Sequence, residues 1–245
     1  MTEYFQREDP QLNSVLDGIL THAFSGVERV CSTLALWAAD ACGGDSETAL
    51  PVAVAVECLS RFSLLHDELH RFARRPRCAN ETVPVWGVAQ ALNAGDACHG
   101  LALKLIAAKS PNPGRTLSVA IMLEEEVLRA VADRSRLVRI ARRRPRGARR
   151  YRIAYAGTRA LGLSTSMRAG AMIAGANAGL VEAFARAGHR LDIAAALASS
   201  EGIPGTSPVA GRFAASAVTE VRHSAVPAEF VREFEEIAHH LAAGD

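Results

Sequence analysis

The chain has 245 residues, a mass of 26.0 kDa and a formal net charge of only +2. Its 49% hydrophobic and 22% charged residues make an ordinary globular balance, which excludes a disordered chain. The aromatic share is low, 5%, and alanine is abundant, which favours helices over sheets.

Taken in chain order, the acidic start from Met1 to Pro10 lacks the basic-then-apolar pattern of a secretion signal. Apolar residues recur at helical spacing from about Leu12 to Cys42, and Gly43-Gly44-Asp45 reads as a turn. Ser46 and Thr48 are the expected caps of a helix running from about Leu50 to the Arg74-Arg75 region. Pro76 to Pro84 reads as a loop, and Val85 to Lys109 as a helix stopped by Ser110-Pro111-Asn112-Pro113-Gly114. Further helices are expected over Thr116–Arg144, Arg149–Ala176, Ala178–Ser199, Val209–His223 and Ala228–Ala243, with a turn-rich break from Gly202 to Pro208. No run alternates long enough for a sheet, so the fold class is all-α: one domain over residues 1–245, built on long antiparallel helices. The longest apolar stretches are interrupted by charge, so no membrane span is expected. Five cysteines (31, 42, 58, 78 and 98) with no Cys-x-x-Cys pair point to a cytoplasmic protein with buried thiols.

The small net charge conceals a segment at 129–152 with eleven arginines against the single acid Asp133. Arg143-Arg144-Pro145-Arg146-Gly147 within it reads as a break between helices. A solvated helix end is the plain reading of the segment, and a patch for an anionic partner is the sharper one. No aromatic lies among these arginines before Tyr151, so base stacking is unsupported and nucleic acid is not an expected partner.

Three segments carry a resemblance. Ala55-Val56-Glu57-Cys58-Leu59 leads to Ser63-Leu64-Leu65-His66-Asp67-Glu68. Val85-Trp86-Gly87-Val88-Ala89-Gln90-Ala91-Leu92-Asn93-Ala94-Gly95-Asp96-Ala97 follows. Tyr155-Ala156-Gly157-Thr158 precedes Met167-Arg168-Ala169-Gly170-Ala171. In order and separation they are similar to segments of the trans-isoprenyl diphosphate synthases, the polyprenyl synthetase family, over roughly residues 25 to 200. The Trp86 segment is the specific part. The resemblance implies the isoprenoid-synthase fold: an antiparallel helical bundle around a central apolar cavity, often dimeric. It also implies Mg²⁺ ions, held by two Asp-rich motifs, that neutralise a departing diphosphate.

This chain departs from the family pattern at those motifs. The first reads Asp67-Glu68-Leu69-His70-Arg71, two carboxylates and then a cation. The second falls near Asp192 to Glu201, where Ser199-Ser200 stand for the paired aspartates. In the segment that binds the second diphosphate, Glu28, Cys31 and Ser60 stand where the family has cationic or hydrogen-bonding residues. A carboxylate facing a diphosphate in a low dielectric repels it by several kcal/mol. Ordinary elongation with isopentenyl diphosphate is therefore not expected, and Mg²⁺ is a doubtful cofactor.

The resemblance leaves Asp67, Glu68 and His70 as candidate catalytic residues, with Asp67 and Glu68 as the residual metal ligands. His66, Arg74, Arg75, Arg77, Gln90 and Thr158 are candidate substrate contacts. His66 and His70, four apart on one helix face, also allow a metal or acid–base pair with Asp67. Asp96 is expected to hold helices together, Glu124-Glu125-Glu126 to be a solvated helix face, and Met122, Met167 and Met172 to be core. The expected function is a divergent enzyme of isoprenoid or terpenoid metabolism. It would act on a prenyl or polyene chain by prenyl transfer or cyclisation. The alternative is a non-catalytic subunit that modulates an active prenyl diphosphate synthase. A homodimer, or a heterodimer with a related synthase, suits either reading.

Overall fold

In the computed structural model, residues 18–22, 29–72, 82–108, 112–143, 161–198 and 207–243 are described, with backbone alone at 70–72, 108, 137–143 and 207. Among these residues there is no strand. After a short helical stretch at 18–22, the helices are α1 Val30–Ala41, α2 Ser46–Phe72, α3 Thr82–Trp86, α4 Val88–Ala108, α5 Pro113–Arg143, α6 Leu163–Ala174, α7 Ala178–Ala198, α8 Ser207–Arg222 and α9 Ala228–Ala243.

Helix α2 is the axis of the bundle and packs most extensively on α4, then on α1 and α6. Its buried face (Val52, Val56, Leu59, Phe62, Leu65) meets Ala94, Cys98 and Leu101 of α4 and Val119, Met122 and Leu123 of α5. A second apolar cluster joins α1, α6, α7, α8 and α9. At its centre the Trp37 ring lies 5.2 Å from Phe184 and 4.9 Å from Phe234, within the range of favourable aromatic pairing. Small residues line the α1–α6 and α2–α4 contacts, so these helices approach closely. Met122 and Met167 are buried and Met172 partly so, as core methionines.

Several boundaries differ from the sequence expectation. Helix α2 starts at Ser46 because Asp45, not Ser46 or Thr48, is the cap. The Thr48 N–H and hydroxyl both donate to Asp45 Oδ2 at 2.9 Å. Thr82 to Pro84 belong to the one-turn helix α3 instead of a loop, and Gly87 at φ 81° separates α3 from α4. The helix expected over Arg149–Ala176 does not run through: Leu161 lies at φ 128° and Gly162 is outside the helix, so α6 begins at Leu163. Likewise Arg29 is outside the first helix, which the periodicity alone carried through it.

One described helix bears on the expectation of no membrane span. Ser46–Leu69 is long and apolar enough to cross a membrane by length and composition, with a mean hydropathy of 1.5. Two-thirds of its apolar 18-residue window is buried inside the bundle, as befits a core helix.

Candidate functional site

The candidate site lies along the middle and C-terminal half of α2, where it faces α1, α5, α6 and α7. Most of its polar residues are on successive turns of α2: Glu57, Ser60, Arg61, Ser63, Asp67 and Glu68. Burial of so many polar groups in one helix requires partners for each.

Those partners are of two kinds, arginines and the open ends of helices. Glu57, 5% exposed, accepts the Ser32 N–H at 3.1 Å and takes Arg61 Nη2 at 3.5 Å. It thereby closes the first turn of α1, whose own cap residue Arg29 supplies no side-chain bond. Asp192 of α7 does the same for α6: the Leu163 N–H donates to Oδ1 at 2.9 Å and the Ser164 N–H to Oδ2 at 3.2 Å. Gly162 allows this contact, because a Cβ there would collide with the Asp192 carboxylate. Glu68 Oε1 accepts the Val83 N–H and so closes α3. Glu126 of α5, 7% exposed, lies 3.1 Å from Arg129 and 3.4 Å from Arg168 of α6.

Asp67 is treated differently from its neighbour. Arg134 of α5 reaches over and its Nε donates to Asp67 Oδ1. The same guanidinium donates through Nη2 to Ser63 Oγ at 2.9 Å and to the Ser63 carbonyl at 3.2 Å. The pair is shielded, with the Arg134 side chain 12% and the Asp67 side chain 10% exposed.

Beside this pair is a cavity of about 200 Å³. Cys31, Glu57, Ser60, Arg61, Ser63 and Asp192 give it a polar wall, and Leu64, Leu163 and Leu241 are among its apolar residues. Ser63 belongs both to the cavity wall and to the Arg134 contact. Two carboxylates and one guanidinium thus stand on the same wall. Burial, and then the Glu57 carboxylate, push the Cys31 thiol up to about 11, so it is a neutral thiol near pH 7.

A comparison of the whole chain with known families and structures fits this geometry into a lineage. A family model described as Polyprenyl synthetase matches residues 13–194. The chain belongs to the polyprenyl synthetase family. It is 38% identical over 86 residues to the geranylgeranyl diphosphate synthase of Mycobacterium tuberculosis, a match spanning 35% of this chain and 25% of that protein. It is 30% identical over 101 residues to the geranylgeranyl diphosphate synthase of Methanosarcina mazei, 41% of this chain and 31% of the relative. The aligned part thus spans only about a quarter to a third of these relatives' length. In fold, the chain is similar to the geranylgeranyl pyrophosphate synthetase of the archaeon Geoglobus acetivorans, with TM-score 0.82, 14% identity, and 98% and 95% of the two chains covered. The polyprenyl synthetase of Streptomyces coelicolor A3(2) gives TM-score 0.77 at 18% identity, covering 98% and 94%. These solved structures confirm the all-α isoprenoid-synthase fold.

The expected site residues fall as follows. Asp67 and Glu68, adjacent in sequence, are turned to different partners and are not gathered on one point. His66 is turned to α4: its Nε2 lies 3.4 Å from Asp96 Oδ1, its ring lies 4.5 Å from that of Phe62, and Gly95 leaves room for it. Asp96 of α4 thus lies against His66 of α2, and His66 does not join Asp67 in a shared cluster. The side chain of His70 lies outside the described residues, as do Arg74, Arg75, Arg77 and Thr158. So do Glu28, Cys78, Ser199, Ser200, Glu201 and the arginine run from 144 onward. Gln90 is half-buried on α4. The solvated-face expectation for residues 124–126 holds for exposed Glu125 alone; Glu124 bonds His99 at 3.0 Å, and Glu126 is buried. His239 and His240 are exposed.

As arranged, the described residues do not fit a Mg²⁺ cluster. Among the described residues no three His, Cys, Asp or Glu side chains converge on a metal position. Arg134, the residue that sequence reasoning missed, takes Asp67, and the Val83 N–H takes Glu68. Arg134 was visible only as one of eleven arginines, and no local signal separates it from its solvated neighbours.

Proposed function

We propose that the protein acts on a prenyl or polyene chain in isoprenoid metabolism, by prenyl transfer or cyclisation and not by adding isopentenyl diphosphate. The observation that supports this reading is that two buried carboxylates, Glu57 and Asp192, line the cavity with Arg61. A second diphosphate entering there would meet carboxylates in a shielded place, at a cost of several kcal/mol. A neutral hydrocarbon chain meets no such barrier.

In this reading the reacting end lies at Asp67 and Ser63. Fixed guanidinium groups near it supply positive charge where a leaving diphosphate builds up negative charge, the role of a preorganised electrostatic clamp. Arg74, Arg75 and Arg77 remain proposed diphosphate contacts, and Gln90 and Thr158 proposed substrate contacts. Apolar residues of the bundle hold the chain and exclude water from a carbocation.

The test is product analysis. Purified protein is given geranyl, farnesyl and geranylgeranyl diphosphate, alone, with isopentenyl diphosphate, and with an aromatic acceptor. Diphosphate release with a cyclised or transferred prenyl product supports the reading. A chain lengthened by five carbons at ordinary synthase speed overturns it.

A second reading, a non-catalytic subunit of an active synthase, is favoured by one specific observation. The outer face of α4 and α5 is apolar and exposed: Val88, Leu92 and Leu103 on the first, and Leu117, Ile121 and Leu128 on the second. Rows of exposed apolar residues along a helix suit an association face. We propose that it is covered by a second synthase-fold subunit, the same chain or a related one. Co-expression with a synthase from the same organism, followed by capture and mass analysis, separates a heterodimer from a homodimer. We further place the protein in the cytoplasm, a location that fractionation would test.

A further inference from the structure

The two halves of the Asp67 site disagree with the metal chemistry of the family, and the disagreement has a specific cause. Arg134 Nε and Nη2 hold three oxygens at once: Asp67 Oδ1, Ser63 Oγ and the Ser63 carbonyl. Asp67 and Ser63 are four residues apart, so all three oxygens lie on one face of α2. A carboxylate, a hydroxyl and a backbone carbonyl are the ligand types a hard divalent cation selects. Here a guanidinium already satisfies them, delivered by α5 from 67 residues away in sequence. It is held by three contacts and is nearly shielded from solvent.

We propose that Arg134 is a resident cation at Asp67, standing where a divalent ion would be held, so that this site is closed to Mg²⁺ as long as the guanidinium is in place. This inference concerns metal binding and stands whether or not the protein turns over a prenyl substrate. A free ion would have to displace a charge that the chain supplies to itself. Adding a second cation beside an undisplaced Arg134 is opposed by like-charge repulsion in a poorly solvated place. Lysine at 134 would keep the charge but lose the fork that spans three acceptors.

The experiment is a Mn²⁺ titration followed by electron paramagnetic resonance, with Mn²⁺ as the probe for the Mg²⁺ site and no substrate present. Four proteins are compared: wild type, Asp67→Asn, Arg134→Ala and the double variant Arg134→Ala/Asp67→Asn. Wild type and Asp67→Asn are expected to give the same weak, non-saturating binding. Arg134→Ala is expected to gain a saturable site at least about tenfold tighter, which the double variant loses and which methylguanidinium competes for. Circular dichroism reports whether Arg134→Ala is folded. If it is not, Arg134→Lys replaces it and is expected to stay blind to Mn²⁺, and the comparison of wild type with Asp67→Asn still decides. A saturable Mn²⁺ site in wild type that Asp67→Asn abolishes overturns the proposal. So does a folded Arg134→Ala that binds no more Mn²⁺ than wild type.

Discussion

Each buried carboxylate around the cavity is committed to a named partner. Asp67 and Glu126 are held by arginines, Glu57 by an arginine and the first turn of α1, and Glu68 and Asp192 by backbone N–H groups. An acidic residue in the right sequence position is therefore not by itself a metal ligand, because a buried charge is satisfied by whatever donor the packing brings. Asp192 shows how much rests on such a contact. Asp192→Ala leaves the Leu163 and Ser164 N–H groups without their acceptor, at roughly 1–3 kcal/mol for such a loss. The urea midpoint should fall, with an unchanged slope if the native state stays compact. Gly95 is a steric counterpart. A Cβ there would come within 2.7 Å of the His66 ring, so Gly95→Ala should lower thermal stability by about 1–3 kcal/mol, the usual penalty of overpacking. A variant as stable as wild type would show that His66 can turn aside.

At the scale of elements, some helix starts are closed from neighbouring helices and others from their own flanks. Glu57 serves α1, Glu68 serves α3 and Asp192 serves α6. Asp45, Asn112 and Asn177 are local caps: they accept the Thr48, Arg115 and Leu180 N–H groups and close α2, α5 and α7. The Thr48 N–H holds the Asp45 carboxyl below the usual carboxylate range. Its contribution is therefore present above the unfolded value and lost as pH falls through the folded one. The outer face of α4 and α5 carries the prediction for association. Ile121→Glu combined with Leu128→Glu should shift the protein to a monomer in light scattering while the helical signal is kept. An oligomer that survives both changes places the interface elsewhere.

For the whole molecule, the cysteines tie the core to pH. Burial pushes Cys31 and Cys42 up to about 11, and Cys58 and Cys98 up to about 12, from an ordinary 9.0. A raised folded value means the thiol form is favoured in the native state. The stability it contributes is complete below pH 9 and is lost as pH rises from 9 toward 11 and 12. Guanidinium unfolding at pH 8 and pH 10.5 should show a clear loss at the higher pH, on the order of a kcal/mol or more. Replacing Cys58 and Cys98 by alanine should flatten the profile. A thiol reagent at pH 8 should leave the native protein's Cys31, Cys58 and Cys98 largely unmodified.

Sequence alone determined the helical class, most of the helix boundaries to within a few residues, and the family. Helical periodicity and glycine–proline breaks are local signals, and the segment around Trp86 is specific enough to name the lineage. Buried thiols were expected as well, and among the described residues Cys31, Cys58 and Cys98 are buried. What Asp67, Glu68 and His66 do was decided only by tertiary packing. Nothing near Arg134 in the sequence distinguishes it from the arginines beside it, and nothing near Asp67 names its partner. The link forms because α5 crosses α2 at that turn. There, desolvation makes the three oxygens of Ser63 and Asp67 take the nearest cation within reach.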